Sequence, residues 1–343
     1  MASLPIELIL DIIDALAPDE HDAPVALPAY HPITKTLLSF TTVCRATHSR
    51  ARRHLYTRCL YIDSSRRLRL LLLALGVGSD EFTDGISQKQ LDIRPLLTSL
   101  YLAPFPPSSI DDLPVAIWVY ELMCILRSSL KRLVIDMDLR SIMPWQDHLY
   151  VRPKLRAAFE QLEDLEEFTS TRDELSLDHF LPNVESIGSP LWTKWQRLRK
   201  VSLYGAPCGI WMMHNNFRMP QSLTHMVLTC PSVSTNPGYQ ELLMARTSRK
   251  LRILIIDEST ITEHRNALNS FNEHSIRAIS DEPPIDLVGI DLPIGMTMRS
   301  EGVDEVTNAY QEWVRDEAIS GNLWNLGGLF LGERREALVH ELT

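Results

Sequence analysis

The chain has 343 residues, of which 45% are hydrophobic and 23% charged, the proportions of a folded globular protein. This composition excludes a disordered chain, and the formal net charge of -10 argues against nucleic acid as the main partner, because phosphate binding needs clustered Lys and Arg. The longest apolar run, residues 70–77, is far shorter than the ~20 residues that span a bilayer, so we expect no membrane partner.

The start of the chain and its cysteines both suggest an intracellular location. After Met1 the chain reaches Leu4, Pro5 and the acidic Glu7 without the basic start and apolar stretch of a signal peptide. The cysteines are odd in number, widely spaced and set in apolar surroundings, at Cys44, Cys59, Cys124, Cys208 and Cys230. We therefore expect reduced core thiols, not a disulfide framework, in the cytoplasm, the nucleus or both.

The segment after Leu4 is predicted to form an amphipathic helix. Pro5 suits the first helical position, because its missing N–H has no intrahelical partner there. Glu7 then lies in the first turn, near the positive end of the helix. Apolar side chains recur at helical spacing on one broad face: Leu8, Ile9, Ile12, Ile13 and Leu16. Burying them is worth on the order of 10 kcal/mol in gross transfer free energy, more than an isolated helix can use, so this face must pack on something.

Two more helices are predicted, at residues 34–44 and 45–56, each with apolar side chains at helical spacing. Residues 17–32, between the first and second helices, contain four prolines and several acidic residues, which predicts a solvated loop. Without further information, these helices are an ordinary three-helix cap at the N-terminal end of the chain.

The order of residues in this region resembles the F-box, a short helical module, in the style of the F-box proteins of filamentous fungi. The resemblance covers residues 3–57 and is carried by Leu4, Pro5, Glu7, Ile9, Ile12, Leu16, Leu38, Val43, Cys44, Arg45 and Leu55. One departure is the insertion at residues 17–32, where the family usually has a tight turn. The insertion either lengthens a loop harmlessly or disturbs the surface that faces the adaptor.

In the F-box family, the Leu-Pro segment and aliphatic side chains of the three helices bind the Skp-type adaptor of a cullin–RING ubiquitin ligase. The resemblance implies that this contact is made here by Leu4, Pro5, Leu8, Ile9, Ile12 and Val43. Three short helices cannot bury all these aliphatic side chains among themselves. We therefore expect an apolar patch that is left for a partner.

Beyond residue 57, a pattern of the form apolar-x-x-apolar-x-apolar recurs along the chain. The clean copies are Leu97/Leu100/Leu102, Leu130/Leu133/Ile135, Leu198/Val201/Leu203, Leu223/Met226/Leu228, Leu251/Leu254/Ile256 and Ile285/Val288/Ile290. A degenerate copy is formed by Leu162, Leu165 and Phe168, and Val184 with Ile187 is another candidate. Their spacing is near or somewhat above that of leucine-rich repeats, and the missing Asn/Cys step marks them as irregular.

Helices are predicted between these copies, at residues 114–127, 153–162, 238–246 and 261–279. A strand and a helix in each repeat, stacked side by side, give a curved α/β solenoid with a parallel inner sheet. The alternative is a generic α/β domain whose short apolar strands look alike by chance.

The last part of the chain is predicted to be a helical cap. Residues 303–319 have an apolar stripe at helical spacing, and a short charged helix is expected at 334–342. A cap would cover the edge of the last strand. The predicted domains are therefore an F-box-like helical domain at 1–57, an irregular leucine-rich-repeat-like domain at 58–300 and a C-terminal helical cap at 301–343.

The sequence contains none of the phosphate-binding, nucleophile or zinc-protease motifs that mark common enzyme classes. Acidic residues do follow predicted strands, at Asp136, Asp138, Asp257 and Glu258, where α/β enzymes hold catalytic carboxylates. In a leucine-rich solenoid the same positions are where the chain leaves the sheet. We expect no catalytic residue, no cofactor and no metal.

Two further clusters each leave two interpretations open. The arginines at 45, 50, 52, 53, 58, 66, 67 and 69 are either a nucleic-acid site or, as we prefer, the solvent side of the third helix and its junction with the repeats. The aromatic residues Trp192, Trp195, Tyr204, Trp211 and Phe217 are either recognition residues or core filling.

These expectations point to a non-enzymatic receptor. Residues 3–57 would hold the adaptor and, through it, a cullin, while the repeats present an unknown protein target to the ligase. A scaffold that binds without promoting ubiquitination is one alternative, and an enzyme with a site that the sequence does not connect is another.

Overall fold

The computed structural model of the chain describes residues 4–16, 24–77, 93–177, 190–206, 219–230, 251–256, 285–290, 303–327 and 329–330. The chain divides into two compact units. The first consists of Met1–Met137, Ser141–Leu165 and Asp316–Leu323, and the second of Asp138–Arg140, Glu166–Arg315 and Trp324–Thr343. The predicted domain ranges 1–57, 58–300 and 301–343 stay a prediction.

The first unit begins with three helices, α1 (Ile6–Ala15), α2 (Pro32–Phe40) and α3 (Arg45–Arg58). Helix α1 begins one residue later than predicted, since Pro5 is its N-cap and accepts a hydrogen bond from the N–H of Ile9 at 3.3 Å. Helix α2 begins two residues earlier than predicted, because Pro32 suits the first turn of a helix. It ends four residues sooner than predicted.

The three helices enclose a small core of their own. Its fully buried members are Ile13 of α1, Leu37 of α2 and Ala51 of α3. Partly buried hydrophobic residues surround them: Ile9, Leu10, Leu16, Ile33, Phe40, Leu55 and Cys59. The module formed by α1, α2 and α3 is called the N-terminal module below.

After this module, strands and helices alternate within the first unit. In chain order they are β1 (Tyr61–Ile62), α4 (Ser65–Ala74), β2 (Ser99–Leu102), α5 (Leu113–Leu126), β3 (Arg132–Ile135) and α6 (Val151–Phe159). A 3₁₀ helix at Arg94–Leu96 precedes β2. The strands pair in parallel in the order β1-β2-β3, with Leu100 opposite Leu133 and Leu102 opposite Ile135.

The second unit carries the remaining strands: β4 (Glu167–Ser170), β5 (Lys200–Tyr204), β6 (His225–Thr229), β7 (Leu251–Ile256), β8 (Ile285–Ile290) and β9 (Leu329–Phe330). Strands β4 to β8 pair in parallel in chain order, and β9 is antiparallel to β8. The remaining described elements are helix α7 (Val303–Ser320) and 3₁₀ helices at Leu191–Lys194 and Asn322–Asn325, of which residues 316–323 belong to the first unit.

The prediction of a mixed α/β chain with parallel strands is confirmed, and neither unit closes into a barrel. Every clean copy of the apolar pattern, and the degenerate one, contributes a strand from β2 to β8. The predicted helices at 114–127, 153–162 and 303–319 correspond to α5, α6 and α7. The candidate copy at Val184 and Ile187, and the predicted helices at 238–246, 261–279 and 334–342, lie outside the described residues.

Strands β2 to β6 are short and buried on both faces, as is usual where parallel strands are covered on both sides. In β5, Val201 and Leu203 point to one face and Ser202 to the other, and all three are fully buried. Consecutive strands repeat this arrangement in register, so that Val201 lies opposite Met226 and Leu203 opposite Leu228.

Candidate functional site

The apolar face of helix α1 is partly buried and partly exposed. Ile13 is fully buried, and Ile9 and Leu16 pack against the same core. Leu8 and Ile12 instead face outward, with 49% and 47% of their surface exposed. The broad apolar face predicted from the sequence is therefore only partly buried: its side with Ile9, Ile13 and Leu16 fills the small three-helix core, and its edge with Leu8 and Ile12 stays exposed.

The outward side chains form a row that we call the outer stripe, consisting of Leu4, Leu8 and Ile12. Their spacing of four residues places them one above the other along the helix axis. Leu4, just before α1, is 52% exposed. Burying the exposed half of each side chain would contribute about 1 kcal/mol, or ~3 kcal/mol for the stripe. The outer stripe is therefore an apolar surface to which a partner can bind favourably.

A second exposed apolar position lies in the connection between α2 and α3. Val43 is 63% exposed, and Leu38 at the end of α2 is also exposed. The turn that carries Val43 is hydrogen-bonded: the N–H of Val43 donates to the carbonyl of Phe40 at 3.4 Å, and the hydroxyl of Thr42 donates to the carbonyl of Ser39 at 2.8 Å. Val43 is thus presented from a turn with defined geometry.

The structure places the predicted adaptor residues in two different environments. Leu4, Pro5, Leu8, Ile12 and Val43 are exposed, whereas Ile9 is partly buried against the core of the N-terminal module. Sequence reasoning did not include Leu38 or Ile6 in this set, although both are exposed large hydrophobic residues of the same module. Their exposure has no sequence signal, since an apolar residue at helical spacing predicts burial.

Helix α1 is attached to α3 by a group of charged side chains. Asp14 of α1 accepts hydrogen bonds from Arg50 and from the Nε2 atom of His54, the latter at 2.8 Å. Desolvation, the largest single effect, opposes ionisation of Asp14, but the hydrogen bonds and charges of His54 and Arg50 together outweigh it and lower the pKa of this carboxyl. This ion-pair cluster fixes the rotation of α1 and, with it, the direction of the outer stripe.

Cysteine placement corrects one prediction. Cys44 is exposed and is the N-cap of α3, where its backbone N–H donates to the hydroxyl of Thr47 at 3.1 Å. It is therefore not a core residue. Cys59, Cys124 and Cys230 are half-buried, and all four described cysteines are free thiols. Cys208 lies outside the described residues.

The carboxylates that follow strands are occupied by structural contacts where they are described. Asp136, after β3, accepts a hydrogen bond from the hydroxyl of Tyr101 at 2.9 Å. Tyr101 is buried and stacks on Tyr61 with ring centroids 4.2 Å apart. Burial, Asp136 and Tyr61 together raise the pKa of Tyr101 far above its usual range, so this hydroxyl stays protonated. Asp257 and Glu258 lie outside the described residues.

The second unit contains a fully buried acid that the sequence did not indicate. Asp173, after β4, accepts hydrogen bonds from the backbone N–H groups of Leu139 and Leu175, both at 2.7 Å, and of Ser176 at 3.3 Å. Burial and the neighbouring Glu174 raise the pKa of Asp173 to about 7, against the lowering effect of these donors. These donors lie in the connections after β3 and after β4, so Asp173 fastens two loops.

The neighbouring arginine extends this cluster. Arg140 forms an ion pair with Glu174 at 2.5 Å and donates a hydrogen bond to the carbonyl of Gly205 at 3.1 Å. Within the described parts of the chain, no group of His, Cys, Asp and Glu side chains is arranged to hold a metal ion. Because Asp173 and Arg140 bind backbone groups and Arg140 pairs with Glu174, we interpret this cluster as a structural network.

Two of the aromatic residues singled out in the sequence fill the core, one of the two interpretations left open. Trp192 and Trp195 are buried, and Trp195 packs edge-on against Phe168 with ring centroids 4.9 Å apart, so these two fill the core. Three other aromatic residues are exposed: Tyr30 before α2, at 73%, and Trp145 and Tyr150 before α6, at 71% and 73%. Trp211 and Phe217 lie outside the described residues.

The connection that carries Trp145 and Tyr150 is held rigidly. Asp147 accepts hydrogen bonds at 2.8 Å from the backbone N–H groups of both Val151 and Arg152, which begin α6. Arg152 is buried and donates to the carbonyl of Ile142 at 3.0 Å. Tyr150 has a φ of 60° and a ψ of 34°, a left-handed conformation that is uncommon outside glycine and asparagine.

In the described ranges, no helix combines the length and the apolar character needed to cross a membrane. The features that suggest a function are thus the outer stripe with Val43, the exposed rings beside α6 and the charged surface of α3. Comparison of the chain with protein-family models, curated proteins and solved structures gives no match.

Proposed function

We propose that the chain is the substrate-recognition (F-box) subunit of a Skp–cullin–F-box ubiquitin ligase. In this proposal the N-terminal module binds the Skp-type adaptor, and the strand-and-helix repeats, as an irregular leucine-rich-repeat solenoid, bind a protein target. The protein contributes proximity between ligase and target, and no chemical step. It works in the cytoplasm, the nucleus or both.

The observation that carries this proposal is the outer stripe. The core of the N-terminal module is already filled by Ile13, Leu37 and Ala51, yet Leu8 and Ile12 remain exposed on the same helix. A helix that served only as a cap would place polar side chains at these outward positions. The exposed Leu4, Pro5 and Val43 coincide with the positions through which the F-box family contacts its adaptor.

We expect a purified Skp-type adaptor to capture the full chain, and a Leu8→Ala/Ile12→Ala variant to bind at least ~20-fold more weakly. Truncating two half-exposed aliphatic side chains that become buried in a complex removes about 2 kcal/mol or more of binding free energy. Both side chains face outward, so the variant should unfold at about the wild-type temperature. Affinity is measured by titration calorimetry or a quantitative pull-down.

The matched control is Leu70→Ala/Leu73→Ala, which truncates two exposed leucines of α4 outside the N-terminal module. This control should bind like the wild type. Absence of adaptor binding by the folded wild-type chain would refute the proposal, and so would equal weakening by both variants. Ubiquitin transfer in the reconstituted ligase, with a captured target, then separates a receptor from a scaffold that only binds the adaptor.

A further inference from the structure

Helix α3 has a charge opposite to that of the chain. It contains five arginines and two histidines and has no acidic residue, whereas the whole chain has a formal net charge of -10. Its arginines are Arg45, Arg50, Arg52, Arg53 and Arg58. Like charges on neighbouring turns of one helix destabilise it by a few tenths of a kcal/mol per pair. This concentration of charge therefore opposes the folding of the helix that carries it.

The side of α3 that faces α1 and α2 is the most deeply buried. Thr47 and Ala51 are fully buried against α1 and α2. Arg50 and His54 lie beside this buried side and bind Asp14. These contacts fix α3 in the N-terminal module, but they use a single arginine.

The opposite side of α3 presents a surface that we call the basic face, consisting of Arg45, Arg52 and Arg53. Their positions along the helix place them on the side turned away from Thr47 and Ala51. Arg45 and Arg53 are exposed, and Arg52 is half-buried. Among the described residues, no acidic side chain forms an ion pair with any of the three.

An aromatic ring orders part of the basic face. The guanidinium of Arg52 lies over the ring of Tyr56, 5.4 Å from its centroid. Stacking leaves the N–H groups of a guanidinium free to bind a carboxylate in its plane, and it reduces the side-chain entropy lost on binding. Arg45 and Arg53 are eight residues apart, which corresponds to ~12 Å along the axis, or about four residues of an extended peptide.

We propose that the basic face docks a short acidic segment of a partner protein. The charge complementarity is local, because three guanidinium groups meet carboxylates spaced along an extended chain. A nucleic acid carries many more charges, and the net charge of -10 repels such a long polyanion. A peptide of a few Asp and Glu residues contacts the basic face alone. This inference does not depend on adaptor binding by the outer stripe.

The test uses the full chain and a fluorescein-labelled decapeptide in which four central Asp and Glu residues are flanked by Gly and Ser, with binding followed by fluorescence anisotropy. We expect binding at low salt that weakens as the salt concentration rises, because exposed charges are screened. An Arg45→Glu/Arg53→Glu variant should bind at least ~tenfold more weakly, since two favourable charge contacts become repulsive. Arg45→Lys/Arg53→Lys should bind within about threefold of the wild type if charge dominates recognition.

The matched control is Lys35→Glu/Arg66→Glu, which reverses two exposed cations on α2 and α4 and changes the net charge by the same amount. It should bind the decapeptide within about twofold of the wild type. Three results would overturn the proposal: no binding by the wild-type chain, equal weakening in the control, or tighter binding to a single-stranded oligodeoxynucleotide than to the peptide. Far-ultraviolet circular dichroism establishes that each variant remains folded.

Discussion

At the scale of single residues, two positions are unfavourable when taken alone: one has a strained backbone conformation and the other a buried carboxyl group. Tyr150 adopts a left-handed conformation immediately before α6, and its ring is mostly exposed. For a residue with a Cβ, this conformation costs roughly 1–2 kcal/mol. The ring therefore gains little from burial to offset the strain in its own backbone.

Replacing Tyr150 should stabilise the protein if the replacement relieves this strain. We expect Tyr150→Gly to raise the free energy of unfolding by about 1 kcal/mol, because glycine adopts a positive φ without steric cost. Tyr150→Phe keeps the Cβ and should leave the stability within about 0.5 kcal/mol of the wild type. Urea denaturation of the three proteins measures both changes. A loss of stability in the glycine variant would show that the ring is held by contacts stronger than the strain.

The ionisation of the Asp173 carboxyl makes the stability of the protein depend on pH. In the folded state the pKa of Asp173 is raised to about 7, whereas its pKa in the unfolded chain is near 4. Between pH 4 and pH 7 the folded protein therefore binds more protons at this carboxyl than the unfolded chain does. The contribution of this residue to stability therefore falls as the pH rises through that window.

We expect the wild-type free energy of unfolding to decrease more steeply from pH 5 to pH 7 than that of Asp173→Asn, as measured by denaturation at several pH values. Asparagine keeps the shape of the side chain and one carbonyl acceptor but does not titrate in this range. Asp173→Ala should be destabilised by about 3 kcal/mol or more, because it leaves the N–H groups of Leu139, Leu175 and Ser176 buried without their acceptor. If the free energy of unfolding changed equally with pH in the wild type and in Asp173→Asn, the raised pKa of Asp173 would be contradicted.

At the scale of elements, the contact between α1 and α3 combines a shared apolar core with one charged cluster. Ile13 and Ala51 supply the apolar part, and Asp14 with Arg50 supplies the charged part. The pair is about 40% exposed on the arginine side, so solvent screens it strongly. The core should therefore provide most of the stability, and the ion pair should mainly set the orientation of α1.

A double-mutant cycle of Asp14→Ala and Arg50→Ala tests this division. We expect a coupling energy of about 0.5 kcal/mol near neutral pH. The folded-state pKa of Asp14 is lowered, so its stabilisation is present above the unfolded value and is lost as the pH falls through the folded value. Coupling that stayed unchanged well below pH 3, or that exceeded ~2 kcal/mol at neutral pH, would contradict a screened surface pair.

The elements also show where sequence reasoning succeeds. The copies of the apolar pattern locate β2 to β8, because alternate side chains of a buried strand recur with a period of two. For α1, helical spacing locates the apolar face but does not tell which part of it is buried. Leu8 and Ile12 have the spacing of core residues, and nothing in their own sequence distinguishes them from Ile9 and Ile13. Which stripe is buried depends on where α2 and α3 lie, and that is tertiary information.

At the scale of the whole molecule, the mixed α/β class and the parallel pairing follow from alternating strand and helix patterns, and the structure confirms both. The polar part of the candidate sites was not predictable in the same way. Asp173 and Asp147 each act through backbone N–H groups of a loop or helix start. Such contacts depend on chain geometry instead of residue type, so a lone aspartate in the sequence does not reveal them.

Pairing between consecutive strands has a consequence for how such a chain changes length over evolution. Among the described residues of each unit, strands that follow one another in the sequence pair with one another, as in β2 between β1 and β3. Removing or duplicating one complete strand-and-helix segment leaves neighbouring strands with the same apolar pattern and the same parallel direction. The number of segments can therefore change by whole steps while the N-terminal module, with its outer stripe and basic face, remains untouched.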